Sequence, residues 1–250
     1  MPRKSRQSRA KRETGTFRIE ARLIIVAIIA MVGFAGWVWL EGHPEHNPMA
    51  PLDLRDPIGM ATARKIAVLK DDVTACHAAL ERSEVAYTVL PPLADASGEG
   101  ACARPDRTQL DSFPMGPTNP SVTCPVATAM VMWKAKSVVP AAKEIMGSNI
   151  ARIEHLGTYN CRRMRGSGSS GWSQHATANA IDIAAFVLED GTRISVLNDW
   201  DGGDAKSQFL RRVRDDACGV FATVLSPDFN AAHADHFHFD QSARWSGVCR

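Results

Sequence analysis

Three of the chain's eight histidines lie within six positions near its C-terminus, at His233, His236 and His238. A neutral imidazole is the commonest metal ligand in proteins. Side chains alternate along a strand with a period of two residues, so His236 and His238 face the same side of an extended segment. The spacing therefore predicts that one strand presents two imidazoles to a single cavity.

A second polar stretch, SQHATANAIDI at 173–183, could complete a metal site with this strand. A catalytic zinc ion typically takes three protein ligands and keeps a fourth position for water. His175 and His238 can supply two ligands, and Asp182 can supply the third if the chain turns back between 175 and 182. Two neutral histidines and one carboxylate leave the ion with a net charge of about +1, which can lower the pKa of bound water towards about 7. The expected cofactor is Zn²⁺, held by His175, Asp182 and His238.

The joint pattern SxHxxxxAxDI, followed by D-H-x-H, resembles that of zinc-dependent D-Ala-D-Ala peptidases and murein endopeptidases. More closely, the stretch from CRR at 161–163 through HADHFHFD at 233–240 resembles the bacterial extensin-like C-terminal domain family, over roughly residues 60–250. The peptidase resemblance implies the same three metal ligands, carried by a small antiparallel sheet packed with helices. Ala178 departs from the pattern, because many relatives have glycine at this position.

Two residues are candidates for the general base of an amide hydrolysis. His236 matches the first histidine of the HxH in the murein endopeptidases, and Asp235 matches the acidic residue used as base in the dipeptidase branch. On an extended strand Asp235 faces away from His236 and His238, which favours His236. A bend before His236 would remove this distinction.

Three further residues are expected to act on the substrate. In related peptidases an upstream arginine binds substrate and stabilises the oxyanion, and Arg162 is the candidate because its guanidinium is a planar fork of donors. Ser173 could orient the substrate or a ligand, or it could close the local turn. His233 could contact the substrate or a ligand, or lie in solvent. The glycine-rich segment 166–171 could gate the cleft.

These residues predict a zinc metallopeptidase of the D,D-carboxypeptidase or endopeptidase type that acts on peptidoglycan stem or cross-link peptides. Three other functions stay open: a peptidoglycan-binding envelope protein that keeps the cleft without catalysis, a redox site with iron on two histidines and one carboxylate, and a metal that only stabilises a disulfide-rich fold. Nucleic acid is not an expected partner, because residues 23–250 carry 21 basic and 25 acidic side chains. Duplex binding usually requires a basic face.

An apolar run at 23–40 indicates how the chain reaches its substrate. Its eighteen residues carry no charge, and at about 1.5 Å per residue they nearly cross a hydrocarbon core about 30 Å thick. Basic residues precede the run, and Trp37 and Trp39 lie at its far end. The positive-inside rule therefore predicts a single-pass inner-membrane anchor with a cytoplasmic N-terminus and a periplasmic domain. A cleaved signal peptide is the alternative, although the run is longer than a usual signal and no clear cleavage site follows it.

The chain divides by composition into four segments: a basic cytoplasmic tail at 1–22, the transmembrane anchor at 23–40, a linker rich in proline and charge at 41–58, and the peptidase-like domain at 59–250. All six cysteines follow the apolar run, and an even number in an exported chain predicts three disulfides. Spacing leaves their pairing open, although a bond between Cys218 and Cys249 would tie the last helix to the C-terminus.

The elements that must position the site follow from periodicity. Helices are predicted over 61–70, 73–82 and 204–218, and from Pro125 onwards with a kink or division at Pro140. Strands are predicted over 85–90, 180–188, 193–197, 221–225 and 236–240, with a hairpin turn at 189–191. Helices packed on a small antiparallel sheet make an α+β domain, preceded by a single transmembrane helix.

Overall fold

Helices and a mixed sheet together form the part of the chain that the computed structural model describes, which is residues 6–95, 97–164, 171–242 and 247–250. Its α-helices are α1 (Arg6–Gly42), α2 (Thr62–Val68), α3 (Val73–Arg82), α4 (Cys124–Trp133), α5 (Val139–Ala141), α6 (Val196–Asp199) and α7 (Ala205–Ala217). Short 3-10 turns lie at Leu69–Asp71, Gln174–Thr177 and Ala231–His233, and π-helical turns at Lys134–Val138 and Ala142–Met146. The predicted α+β class is confirmed, whereas segment 166–170 of the predicted gate lies outside the described residues.

Nine strands are present in the same ranges: β1 (Tyr87–Val89), β2 (Thr108–Leu110), β3 (Met115–Gly116), β4 (Ile150–Gly157), β5 (Ala180–Leu188), β6 (Arg193–Ser195), β7 (Thr223–Leu225), β8 (Phe237–Asp240) and β9 (Val248–Cys249). Strands β1 and β2 form a separate pair, and the main sheet has the order β3-β4-β5-β8-β7-β9, with β6 beside β5. The sheet is not wholly antiparallel as predicted. The short edge strands β3 and β9 pair in parallel with β4 and β7, because each arrives through a long connection rather than a hairpin.

One face of the main sheet packs against the helices. Ile181, Ile183 and Phe186 on β5 are almost fully buried, and the Trp133 indole at the end of α4 contacts both Phe186 and Phe239. Burial of a large apolar side chain stabilises the fold by about 1.5–3 kcal/mol. This packing sets which side of β5 and β8 faces the helices, so the residues between the buried ones face the other way.

Strand β4 was not predicted, although it is an interior strand of the main sheet. Its pairing with β5 shifts register three times, between Ile150 and Arg152, between Glu154 and His155, and between His155 and Gly157. Such bulges break the period-two alternation by which a strand is found in a sequence. The predicted strand 193–197 also differs, because it leaves the sheet after Ser195 and continues as α6.

The helix that begins near Pro125 stays helical through Pro140 but is divided around it into short α- and π-helical segments. Pro140 lies in α5, between two π-helical turns, and the N–H of Val139 donates to the carbonyl of Lys134, five residues back. Proline has no N–H to donate to the residue four positions earlier. The wider turns keep the chain helical despite this lost bond.

Three disulfides cross-link the domain, as the cysteine count predicted: Cys76–Cys124, Cys102–Cys161 and Cys218–Cys249. The first joins α3 to α4. The second joins the loop before β2 to the segment after β4, and the third ties the end of α7 to β9.

The apolar run predicted to cross a membrane is part of one continuous helix, α1. Within the described ranges, only the part of α1 from Arg18 to Gly42 is long and apolar enough to cross a membrane. Its apolar side chains are exposed, so the domain does not cover them.

The segment that the sequence assigns to a linker, 41–58, packs against the domain. Leu52 and Leu54 are buried in the core. The Arg82 guanidinium donates to the Leu52 carbonyl at 2.6 Å, and the Lys65 ammonium donates to the Pro44 carbonyl at 2.6 Å. These contacts hold the domain close to the end of α1.

Candidate metal centre

Asp182 and His238 face each other across two neighbouring strands. Antiparallel pairing of β5 with β8 places Asp182 directly opposite His238. On both strands the flanking residues are buried against the helices, while these two are only partly buried. The alternation of side chains therefore brings a carboxylate and an imidazole together on the open face of the sheet.

His175 reaches the same point through a tight turn. It lies in the 3-10 turn Gln174–Thr177. The Ser173 hydroxyl caps the start of this turn by accepting the N–H of His175 at 3.3 Å. The turn ends at Ala178, whose φ of 57° reverses the chain into β5. This reversal brings His175 back over Asp182, as the sequence required.

The three side chains bring their ligating atoms to one point. His175 Nε2 lies 3.1 Å from Asp182 Oδ1 and 3.1 Å from His238 Nδ1, and His238 Nδ1 lies 2.9 Å from Asp182 Oδ1. A tetrahedral zinc ion with bonds of about 2.0–2.1 Å separates its ligand atoms by about 3.3 Å. The triangle of donor atoms therefore matches the size of a zinc coordination shell.

Each of the two histidine rings, His175 and His238, makes a hydrogen bond through the nitrogen that points away from the triangle. This bond determines that the other nitrogen, which faces the triangle, has the lone pair. His175 Nδ1 lies 3.1 Å from the carbonyl of Thr158, and His238 Nε2 lies 3.0 Å from a carboxylate oxygen of Asp240. A carbonyl and a carboxylate only accept, so each of these nitrogens carries a proton. His175 Nε2 and His238 Nδ1 are then free to present lone pairs beside the Asp182 carboxylate, an arrangement that a cation stabilises.

Charges within the cluster shift its titration. Burial by itself would raise the pKa of Asp182, but hydrogen bonds with His175 and His238 outweigh it and hold that pKa well below its usual range. Burial would lower the pKa of His238, but hydrogen bonds with Asp182 and Asp240 raise it to about 9. A proton on His238 Nδ1 thus occupies, without metal, the position that a cation would take.

The two candidate bases are arranged in series rather than as alternatives. His236 Nε2 lies 3.6 Å from Asp182 Oδ1, and His236 Nδ1 lies 2.7 Å from Asp235 Oδ1. The imidazole of His236 therefore lies between the triangle of donor atoms and the Asp235 carboxylate. The chain turns at 234–235 and β8 begins only at Phe237, so Asp235 and His236 are not on the extended strand that would have kept them apart.

His233 flanks the same cluster. Its ring centroid lies 5.2 Å from that of His236 and 5.9 Å from that of His238, and its Nδ1 lies 2.8 Å from Asn230 Oδ1. Burial, with the charges of His238 and His236, lowers the pKa of His233 to about 4, so the ring is neutral at pH 7. His233 lies beside the triangle of donor atoms without belonging to it.

Ser173 and Arg162 differ in what the structure shows of them. The Ser173 hydroxyl caps the turn that carries His175, which is the turn-closing role. Arg162 lies beside this turn, because its carbonyl accepts the N–H of Ser173 at 3.1 Å. Its guanidinium donates to the Arg163 carbonyl at 3.4 Å. No contact of the guanidinium with the three candidate ligands is found in the described ranges, so its role stays a prediction.

Two residues that support the site were not selected from the sequence. Asp240 lies two positions after His238 on β8 and therefore on the same face, which is a spacing that could have indicated it. Thr158 contributes only its backbone carbonyl, and no side-chain pattern signals such a contact.

A comparison with protein families matches residues 74–250 to the family described as extensin-like protein C-terminus. No curated protein and no solved structure matches the chain. The match spans well over half of the chain. It includes the six cysteines of the three disulfides and the three residues of the donor triangle. The chain belongs to the extensin-like C-terminal family.

Proposed function

We propose that the chain is a zinc-dependent amide hydrolase that acts on peptidoglycan stem or cross-link peptides. The observation that carries the proposal is the donor triangle of His175, Asp182 and His238, with both outer ring nitrogens held by hydrogen bonds. Two histidines and one carboxylate form a common protein ligand set of catalytic zinc in peptidases. The substrate class comes from the resemblance to murein peptidases.

Zinc bound at this triangle would polarise the scissile carbonyl and lower the pKa of a bound water molecule. His236 is placed to accept the proton of that water, because its Nε2 faces the triangle at 3.6 Å from Asp182. Asp235 accepts the Nδ1–H of His236 at 2.7 Å, which orients the ring and stabilises it when it carries the extra proton. The same imidazole then donates the proton to the leaving amine.

The proposed location is the cell envelope. The apolar part of α1 anchors the chain in the inner membrane, and the basic residues before it keep the N-terminus in the cytoplasm. The domain then lies in the periplasm, where disulfides form and persist and where peptidoglycan is found.

The test is metal content together with murein digestion, carried out on the full chain in detergent. We expect one equivalent of zinc and the release of new muropeptides from purified murein, with both lost in His238→Ala. The matched control is His43→Ala, which removes a histidine at the end of α1, outside the donor triangle. This variant should keep both metal and activity.

The other outcomes separate the remaining functions. Stoichiometric zinc without cleavage of several mureins would favour a peptidoglycan-binding protein. Iron in place of zinc would favour a redox site, and the absence of any metal would refute the central claim.

A further inference from the structure

A concave surface lies next to the candidate metal centre on the open face of the sheet. It encloses about 520 Å³, and Ala184 of β5 is part of its wall. Ala184 lies two positions after Asp182, and both are partly exposed while Ile183 between them is buried. Residues two apart on a strand share a face and are separated by about 6–7 Å. A bound peptide that extends from the metal centre along β5 would therefore enter this cavity.

The cavity carries two arginines and one glutamate in its wall. Glu154 Oε1 accepts from Arg152 Nη2 at 2.8 Å, and Glu154 Oε2 accepts from Arg193 Nε at 2.9 Å. The hydrogen bond from Arg152, together with Arg193, lowers the pKa of Glu154, so the carboxylate is ionised at neutral pH. The group has a net charge of about +1. Each guanidinium has five N–H donors, of which Glu154 uses only some.

The register of the sheet places both arginines in one row. Arg152 of β4 pairs with Val187 of β5, and Val187 pairs with Arg193 of β6. The row is therefore built from three neighbouring strands, and no loop is needed to hold it. Rigid elements position a recognition group more accurately than loops do.

Two further features define the shape and polarity of the wall. A Cβ at Gly116 would overlap the Arg152 side chain, so the absence of a side chain there gives Arg152 its place. His155, which is 8% exposed, lines the same cavity, and its Nε2 lies 3.1 Å from the Thr118 carbonyl. Its Nδ1 is then a buried acceptor with no hydrogen-bond partner among the described residues.

We propose that this cavity is a substrate subsite that binds a carboxylate of the peptide whose amide bond lies at the metal centre. The proposal rests on the proposed function and adds the substrate class, an anionic peptide rather than a neutral one. Guanidinium groups pair with carboxylates through parallel N–H donors, which gives both strength and direction. Glu154 holds the two arginines in place and also competes with the ligand for them.

The experiment measures binding of two synthetic stem peptides to the full chain in detergent by calorimetry. The peptides are L-Ala-γ-D-Glu-L-Lys-D-Ala-D-Ala and the same peptide with the free glutamate carboxylate converted to a carboxamide. We expect the wild-type chain to prefer the acidic peptide about tenfold or more, as is typical of a hydrogen bond to a charged group. Arg193→Gln should remove most of this preference.

Glu154→Gln distinguishes a subsite from a structural ion group. If the arginines recognise a carboxylate, removal of the competing Glu154 charge strengthens binding of the acidic peptide. If the group only supports the sheet, this variant weakens binding or leaves it unchanged. The matched control is Arg212→Gln, an exposed arginine on α7 that pairs with Asp216 and should not change the preference.

The experiments can refute the subsite and the hydrolase independently of each other. The subsite would be overturned, even if murein is cleaved, by equal binding of the two peptides to the wild-type chain, by a preference that Arg193→Gln leaves unchanged, or by acidic-peptide binding that Glu154→Gln does not strengthen. Preferential binding without any cleavage would leave the subsite standing and refute the hydrolase.

Discussion

At the scale of single residues, the candidate centre depends on atoms outside the donor triangle. His238 can present Nδ1 to a metal only if its Nε2 keeps a proton, and the Asp240 carboxylate at 3.0 Å keeps it there. His175 is held in the same way by the Thr158 carbonyl. These outer contacts determine tautomer and ring orientation, and through them the affinity for a metal.

Asp240→Asn should therefore lower zinc affinity about 10- to 100-fold while the fold persists. The amide accepts more weakly than the carboxylate and can turn its NH₂ group towards the ring. Competition with a chromogenic chelator measures the affinity. Asp216→Asn on α7 is the control and should bind zinc like the wild type, and equal affinity in both variants would contradict the role of Asp240.

Replacement of His236 should affect catalysis more than replacement of Asp235. We expect His236→Ala to lower kcat about 100-fold or more, and Asp235→Asn to lower it less, because Asp235 touches only the far side of the ring. Both variants should retain zinc. Steady-state hydrolysis of a muropeptide measures the difference, and a larger loss in Asp235→Asn would make Asp235 the base.

At the scale of elements, one turn and one disulfide position His175. The turn ends at Ala178, a buried residue with positive φ. This conformation raises the free energy of an L-residue by about 1–2 kcal/mol, and that of a β-branched residue by more. Alanine at this position therefore carries a local cost, which the surrounding contacts offset.

Ala178→Gly should change the free energy of unfolding by less than about 1 kcal/mol. The backbone strain that glycine relieves is offset by the loss of a buried methyl group worth about 0.8 kcal/mol. Ala178→Val should destabilise the domain by about 2 kcal/mol or more, because it adds bulk to a buried position with positive φ. Urea unfolding compares the variants, and a valine variant as stable as the wild type would refute the argument.

The disulfide Cys102–Cys161 should support the metal centre as well as the fold. Asn160, beside Cys161, donates its N–H to the His175 carbonyl at 3.0 Å. The disulfide joins residues 59 positions apart. A loop of this length stabilises the folded state by about 4 kcal/mol in a chain-entropy model. We expect the double serine variant to lose both stability and zinc affinity.

The control for this variant is the disulfide Cys218–Cys249, which ties the end of α7 to β9. Its double serine variant should lose stability but bind zinc with unchanged affinity once folded. Equal zinc affinity in the two double variants would show that Cys102–Cys161 acts on stability alone.

At the scale of the whole molecule, the apolar helix α1 and the domain are joined by a packed segment. Leu52 and Leu54 are buried in the core, 8% and 4% exposed. The domain is consequently held close to the end of α1. A flexible tether would let it search a larger volume.

Two truncated chains test this packing. A chain that begins at His43 should unfold with the same free energy as the domain of the full chain. A chain that begins at Gly59 should be less stable by about 3 kcal/mol or more, because two buried leucines are lost. Thermal and urea unfolding compare them, and equal stability would mean that 43–58 contributes nothing to the core.

Much of the local structure could be predicted from the sequence. Helix α3 begins and ends where the apolar spacing placed it, and β5 does so as well. The apolar run, the even number of cysteines and the types of the candidate ligands were equally accessible, since they depend on composition and short spacings. Strand β4 was missed because its bulges remove the alternation that identifies a strand.

The sequence by itself determined which residues have the chemistry to bind a metal, and that His236 and His238 are two positions apart. Only the tertiary structure decided that Asp182 lies opposite His238, because strand register depends on packing across the sheet. It also decided that Asp235 lies behind His236, and that Arg152 and Arg193 meet at Glu154. Each of these contacts joins atoms whose separation depends on how strands and turns pack, which the order of residues along the chain does not specify.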